Sequence, residues 1–181
     1  MRVMKKISIE IEVEEAFGNL FRERCVLVAV TNGEKYLFGD KRGFYPPGIT
    51  RLLGGGMKRG ENVEMAAVRE LKEELGIDVS REEFDKLAEF KIAATDSHGN
   101  RYFNISYLLY VDIGDREFFP ADDVNSISLL SIEDIERLAE RYCSLPKDLW
   151  FDGGERFRWY DYGQLYGAIH MELVKILCAS G

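Results

Sequence analysis

Cysteine is scarce in this 181-residue chain: Cys25, Cys143 and Cys178 are odd in number, far apart and without a Cys-x-x-Cys pair. That usage argues against a disulfide framework and a thiolate zinc site, and leaves buried or neutral thiols as the simpler reading. Histidine is scarcer still. His98 and His170 are too few and too isolated for a zinc site or a nucleophilic triad, so surface or helix-packing roles are expected. No Gly-x4-Gly-Lys-Ser/Thr stretch occurs, which removes the nucleoside triphosphatases built on that loop. Long apolar runs are also missing. Residues 7–14 alternate apolar and charged side chains where a signal peptide needs an unbroken apolar stretch, and no uncharged run approaches membrane-spanning length. A cytoplasmic location is the resulting expectation. Positive charge is in deficit, with 24 Lys+Arg against 32 Asp+Glu and a net charge of -8, so neither long nucleic acid nor an anionic membrane is an expected partner. A small anion can still bind wherever a cation is supplied locally.

What is present suits one packed domain over residues 1–181, since 46% apolar residues can fill one sizeable core. No repeat, low-complexity tract or linker interrupts it. Ile7, Ile9, Ile11 and Val13 alternate with Ser8, Glu10, Glu12 and Glu14, predicting a strand with one buried face at residues 5–14. A near-continuous apolar run at 25–31, then Asn32-Gly33, then 35–39, reads as strand, turn, strand. Residues 50–53 read as a short strand, after which Gly54-Gly55-Gly56 opens a loop. Residues 62–75 are helical in pattern, with Gly76 where a C-terminal cap belongs. Further strands are predicted at 87–94, 102–112 and 126–130. A helix at 131–142 starts at Ser131 with an acid three residues on, and a last helix at about 161–178 carries Leu165, Ile169, Leu173 and Ile176 on one stripe. Strands mixed with helices place the chain in the α/β or α+β class.

The chemistry concentrates in residues 54–77, a glycine loop feeding an acidic helix. With Val68 set at zero on a helical wheel, Leu71 and Leu75 fall within about 60° of it, and Glu73, Glu70 and Glu74 fall at about 140°, 200° and 240°. The three carboxylates therefore share the face opposite the apolar stripe. Ala66 and Ala67 flank that face, which keeps bulky side chains away from an approaching ligand, and Arg69 sits one turn before Glu73 and can brace it. Clustered carboxylates tend to retain protons unless a divalent cation neutralises them, and Mg2+ suits oxygen ligands and phosphate alike. The bland alternative is a solvated acidic helix face.

Gly55, Glu61, Arg69, Glu70, Leu71, Glu73, Glu74, Gly76 and Ile77 match every position of G-x5-E-x7-R-E-U-x-E-E-x-G-U, where U is aliphatic. This resembles the box of the Nudix hydrolases, and a chance match is on the order of 10⁻⁶ for independent positions. The resemblance implies an α/β/α sandwich around a mixed β-sheet, with the strand at 5–14 and the C-terminal helix as additions. It also implies Mg2+-dependent hydrolysis, with Mn2+ as a possible substitute, of a diphosphate linkage in a small nucleotide-like substrate by water attack at phosphorus. Carried over by position, Glu70, Glu73 and Glu74 hold metal with the Gly54 carbonyl as a further ligand. Arg69 orients an acid, while Gly55, Glu61 and Gly76 shape the box. Leu53 departs from the pattern, since many members have proline there, which bears on loop rigidity.

Many members add a carboxylate from a later loop, as a further ligand or as general base. Here Glu117, Asp122 and Asp123 precede residues 126–130; Asp123 is preferred, then Asp122, and a plain polar turn is the alternative. Phe44, Tyr45 and the aromatics between Trp150 and Tyr162 can either stack on a base or pin the last helix to the core. The resemblance also associates a downstream proline with ADP-ribose hydrolases and a tyrosine with dinucleoside polyphosphate hydrolases; at about the expected distance residues 91–95 contain neither. Two other functions fit such a fold: a non-hydrolytic nucleotide sensor, against which the intact acids stand, and a prenyl diphosphate isomerase, which relies on a reactive cysteine. A terminal strand with one apolar face must either join its own sheet or pair with another chain; family members often dimerise through N-terminal strands, and the resemblance implies a homodimer.

Overall fold

The computed structural model of the chain describes residues 3–180. Its centre is a seven-stranded mixed sheet built from β1 (Lys5–Glu12), β2 (Arg24–Thr31), β3 (Tyr36–Asp40), β4 (Leu53–Gly56), β5 (Asp85–Thr95), β6 (Arg101–Asp112) and β7 (Ser126–Leu130). The strand order is β1-β5-β6-β2-β3-β7, and β4 pairs with β2 beside β3. β1 lies parallel to β5 and β2 parallel to β6, whereas the β2–β3, β2–β4, β3–β7 and β5–β6 pairs are antiparallel. The N-terminal strand thus joins its own sheet, as its edge strand, with Ile7 opposite Phe90 and Ile9 opposite Ile92.

The apolar run of β2 is buried on both faces, and its alternation divides the core. Val26, Val28 and Val30 pack with Ala66, Ala67, Leu71 and Leu75 of α1 (Val63–Leu75). Leu27 and Ala29 face the opposite cluster, which contains Ile135 and Leu138 of α2 (Ile132–Cys143) and Leu165, Ile169 and Leu173 of α3 (Trp159–Cys178). Helices on both faces of a mixed sheet give the expected α/β/α sandwich. The caps follow their residue chemistry: the Asn62 side chain accepts from Met65 N, Gly76 closes α1 at φ 69°, and Ser131 and Asp134 form a reciprocal capping box on α2. Among the described residues, no helix is long and apolar enough to cross a membrane.

Three expectations need correction, and one element was not expected. Residues 54–56 do not open a loop; they extend β4, because their backbones pair with Leu27, Val26 and Cys25 and need no side chain to do so. Residues 50–52 form no strand of their own beyond an isolated bridge between Arg51 and Gly39. Leu53, the departure from the box, is fully buried opposite Val28. The packed stripe of α1 is centred on Ala67 and Leu71 rather than Val68, which is only partly buried, so Ala66 and Ala67 belong to the core and open no path for a ligand. Finally, β8 (Trp150–Asp152) and β9 (Arg156–Arg158) form a hairpin that three-residue strands are too short to announce by alternation.

Candidate active site

A cavity of about 340 Å3 opens where α1, β4 and the loops after β3 and before β7 converge. Its acidic wall is made by Glu70, Glu73 and Glu74 of α1, joined by Asp122 and Asp123. The two aspartates are delivered by the end of α1 itself. Unpaired carbonyls at a helix C-terminus need donors. Phe119 N donates to Leu75 O and Ala121 N to Glu74 O, both at 2.9 Å, so the loop is stitched to the last turn just before Asp122. Asp122 takes a left-handed φ of 54°, which fits the polar-turn reading, yet it still lines the cavity. Glu117 is exposed elsewhere and is not brought to the site.

The glutamates are not equivalent, and two of them are not exposed. Glu74 is 1% exposed and Glu70 8%, whereas the Glu73 side chain keeps 42% of its surface. Glu74 accepts from Gly54 N at 2.8 Å through Oε2 and from Arg51 Nη2 at 2.6 Å through Oε1. Burial nevertheless pushes its carboxyl up to about 7; Arg51 and the Gly54 amide pull the other way, and the neighbouring Glu70 adds to the rise. Glycine is required twice on the facing strand. Gly54 holds φ 131°, and a Cβ there would lie 2.1 Å from the Val26 carbonyl, while a Cβ on Gly55 would lie 2.7 Å from Glu70 Oε1.

Arg69 ties the box together. Its Nε and Nη2 donate to Glu61 at 2.6 and 3.0 Å, Nη1 donates to Glu70 at 2.6 Å and to Glu73 at 3.2 Å, and Nη2 also reaches the Gly56 carbonyl at 3.0 Å. The hydrogen bond from Arg69, with help from the Lys58 amide, holds the Glu61 carboxyl down at about 2. Glu61 stands outside the cavity, and Gly76 acts at the far end of α1.

Sequence reasoning missed the cations. Arg51 bridges Glu74 and Asp123, at 3.0 Å from Asp123 Oδ1, and also donates to the Gly54 carbonyl at 3.1 Å. Lys41 lies 3.2 Å from Asp123 Oδ2, and Arg22 completes the set. A charge at position 51, inside the otherwise apolar stretch Ile49, Leu52 and Leu53, was the available signal for Arg51. On the aromatic side Phe44, Tyr45, Phe157, Tyr162 and Tyr166 line the cavity, but Phe157, Tyr162 and Tyr166 are at least 90% buried among one another, so they pin α3 to the core as well. His170 stacks on Tyr142 and donates from Nδ1 to the Tyr166 carbonyl. His98 is exposed, 3.9 Å from Glu15.

Carboxylates and a backbone carbonyl are the donor chemistry a hard divalent cation takes, so the residues fit Mg2+ in kind. Their present arrangement is held by arginine instead: among the described residues, no three His, Cys, Asp or Glu side chains are grouped to hold a metal. Glu73 and the second oxygen of Glu70 are the accessible donors, and Glu74 becomes one only if Arg51 lets go.

The Nudix domain profile matches residues 21–149, from the turn before β2 to the residue before β8. The chain belongs to the Nudix family. β1, the β8–β9 hairpin and α3 lie outside the matched segment of this Nudix protein. The NAD-capped RNA hydrolase NudC of Pseudomonas aeruginosa is 37% identical over 59 residues, which is 33% of this chain and 21% of NudC; the chain thus spans about a fifth of the curated relatives it matches. Two solved structures share the fold. A Caenorhabditis elegans Ap4A hydrolase in a binary complex aligns with a TM-score of 0.52 at 15% identity, covering 87% of this chain and 98% of that one. The MutT protein of Bacillus halodurans aligns at 0.53 and 19%, covering 64% and 72%.

Proposed function

We propose that this chain is a Mg2+-dependent pyrophosphohydrolase that splits a diphosphate linkage in a nucleoside diphosphate derivative by attack of water at phosphorus. The observation that carries the reading is one cavity lined both by the acids Glu70, Glu73 and Glu74 and by the cations Arg22, Lys41 and Arg51. Acids alone repel a diphosphate, and cations alone have no means of activating water. Together they suit hydrolysis.

Glu70, Glu73 and Glu74 would hold the metal, with the Gly54 carbonyl beside them. A bound divalent cation supplies charge neutralisation for the diphosphate and a more acidic water. Arg69 fixes the side chains of Glu70 and Glu73 so that their oxygens face the cavity, while Glu61 fixes Arg69 in turn. Asp123, on the rim and held by Arg51 and Lys41, is the candidate to accept the proton of the attacking water; Asp122 is the second. The prenyl diphosphate isomerase reading loses its reactive cysteine, because Cys25 is fully buried in β2, does not line the cavity, and has its thiol raised by burial, against a smaller opposing pull from the Asn104 amide. Cys143 and Cys178 are exposed but do not line the cavity.

The names of the relatives point the substrate search toward nucleotides: one neighbour is an Ap4A hydrolase, and NudC acts on NAD-capped RNA. The deciding experiment incubates the protein and Mg2+ with nucleoside diphosphate sugars, dinucleotides and modified nucleoside triphosphates, and follows phosphorylated products. At least one substrate should be cleaved by wild type and not by Glu73→Gln. No metal-dependent cleavage anywhere in the panel refutes the hydrolase reading and favours a nucleotide sensor. A homodimer remains part of the proposal through the outer edge of β1, which has no partner strand among the described residues. Light scattering on the full chain and on one lacking residues 1–14 tests it; a monomeric full chain removes it.

A further inference from the structure

The three cations of the cavity differ in one respect. Lys41 and Arg51 are committed to acids, to Asp123 and to Glu74 with Asp123 respectively. Arg22 lines the same cavity, yet its side chain makes no hydrogen bond or ion pair with any described residue. Its backbone is anchored on both sides. The N–H donates to the Asn19 carbonyl at 3.0 Å, and the carbonyl accepts from Nδ2 of the buried Asn104 at 2.9 Å. From that fixed root the side chain lies over Gly56, where a Cβ would come within 2.6 Å of Nη1 and 2.9 Å of Cδ. Glycine at 56 is what leaves the guanidinium its place.

A guanidinium with a rooted backbone and a free head, on the wall of a cavity that also holds carboxylates, lacks only an anion. Its planar fork of N–H donors matches phosphate oxygens two at a time, which a lysine in the same place cannot do. We propose that Arg22, seated over Gly56, grips a phosphate of the substrate's phosphate chain and so sets how that chain lies against the acids of α1. The assignment rests on reading the cavity as a diphosphate hydrolase site. Arg22 is the one cation of the three that can bind without first giving up an acid. It therefore makes the first contact, and Lys41 and Arg51 engage only at the expense of Asp123 and Glu74.

Two variants test this from opposite sides. Arg22→Gln removes the charge, while Gly56→Ala keeps the charge and displaces it. Gly56 does not occupy the left-handed region, and the colliding atoms belong to the far part of a flexible side chain, so alanine is tolerated by the fold. Calorimetry with methylenebisphosphonate, a diphosphate that water cannot cleave, in the presence of Mg2+ should show binding weakened by roughly tenfold in both, as expected for the loss of charge-assisted hydrogen bonds. The thermal midpoint of Gly56→Ala should match wild type. Wild-type affinity in either variant overturns the proposal, as does a wild-type chain that does not bind the bisphosphonate. Steady-state kinetics separate this from the hydrolase reading: in Arg22→Gln, KM should rise by more than kcat falls, and an unchanged KM overturns the role of Arg22 alone. A calorimetric loss with no hydrolysis in wild type removes the hydrolase reading and leaves the anion site standing.

Discussion

Replacing Glu74 by glutamine should abolish a pH dependence of folding stability that this one carboxyl imposes. Burial holds the Glu74 carboxyl at about 7 in the folded chain, against 4.5 when unfolded. Below pH 4.5 the group is protonated in both states and makes no difference. Between 4.5 and 7 the unfolded chain loses the proton first, so stability falls as pH rises, and the loss is complete above 7. At roughly 1.4 kcal/mol per pKa unit, the gap amounts to about 3 kcal/mol. His170 works in the opposite sense: desolvation lowers its imidazole to about 4 from 6.5, so its contribution is complete above pH 6.5 and is lost as pH falls through 4. The two slopes oppose each other between 4.5 and 6.5, and the wild-type curve alone conceals both. The quantity to measure is the stability of wild type minus that of Glu74→Gln, from urea titrations between pH 4.5 and 8.5 with EDTA present. It should decline by about 3 kcal/mol across that range. Adding Mg2+ at pH 8 should recover much of the decline, since a cation favours the ionised carboxylate. Parallel curves for the two proteins would refute the argument, and with it the account of Glu74 as a buried acid poised near neutrality.

Glu73→Gln should lower turnover by roughly 100-fold or more while changing stability by less than about 0.5 kcal/mol, because its carboxylate reaches the cavity from a largely solvated position. Leu71→Ala should do the reverse, losing about 2–5 kcal/mol in a denaturant titration, since Leu71 is fully buried against the sheet. Turnover in excess EDTA should be nil and should return with Mg2+ or Mn2+, with an optimum on the alkaline side where the attacking water gives up its proton more readily; full turnover without metal contradicts the reading. His170→Phe should flatten the acid limb of the stability curve between pH 6.5 and 4, an outcome read from the same urea titrations.

The elements that the sequence revealed are those whose periodicity extends over at least one full buried face. β2, β5, β6, β7, α1, α2 and α3 all lie within a few residues of their expected bounds, because an apolar run, alternation or a helical stripe marks most of their length. The pairing of β1 was beyond reach by the same logic. Alternating Ile7, Ile9 and Ile11 announce a strand, but they say nothing of its neighbour, and a parallel partner some 80 residues away depends on the whole sheet. The β8–β9 hairpin escaped because its aromatics can be read equally well as stacking groups or as packing. In the site, the acids were legible through their fixed spacing on one helix. The cations were not, since Arg22, Lys41 and Arg51 come from three separate segments and share nothing but a cavity.

The burial of Glu70 and Glu74, on the side of α1 opposite its leucines, has a specific cause, and it explains why glycines and acids belong to one motif. A helical wheel assumes a single packing surface, and on that assumption the side of α1 opposite its leucines should face water. α1 has two contacts. Ala66, Ala67, Leu71 and Leu75 meet the sheet, while Glu70 and Glu74 meet β4, whose residues 54–56 carry no side chains. A carboxylate can lie against a backbone only where no Cβ intervenes: the Gly54 amide donates to Glu74, and the space that a Cβ on Gly55 would fill is taken by Glu70. The glycines thus bury the acids, and burial is what raises the Glu74 carboxyl toward neutrality. An alanine at 55 would push Glu70 back toward solvent and toward the ordinary acidic helix face that composition alone suggests. The spacing between glycine strand and glutamates is therefore a packing requirement first, and the chemistry of the cavity follows from it.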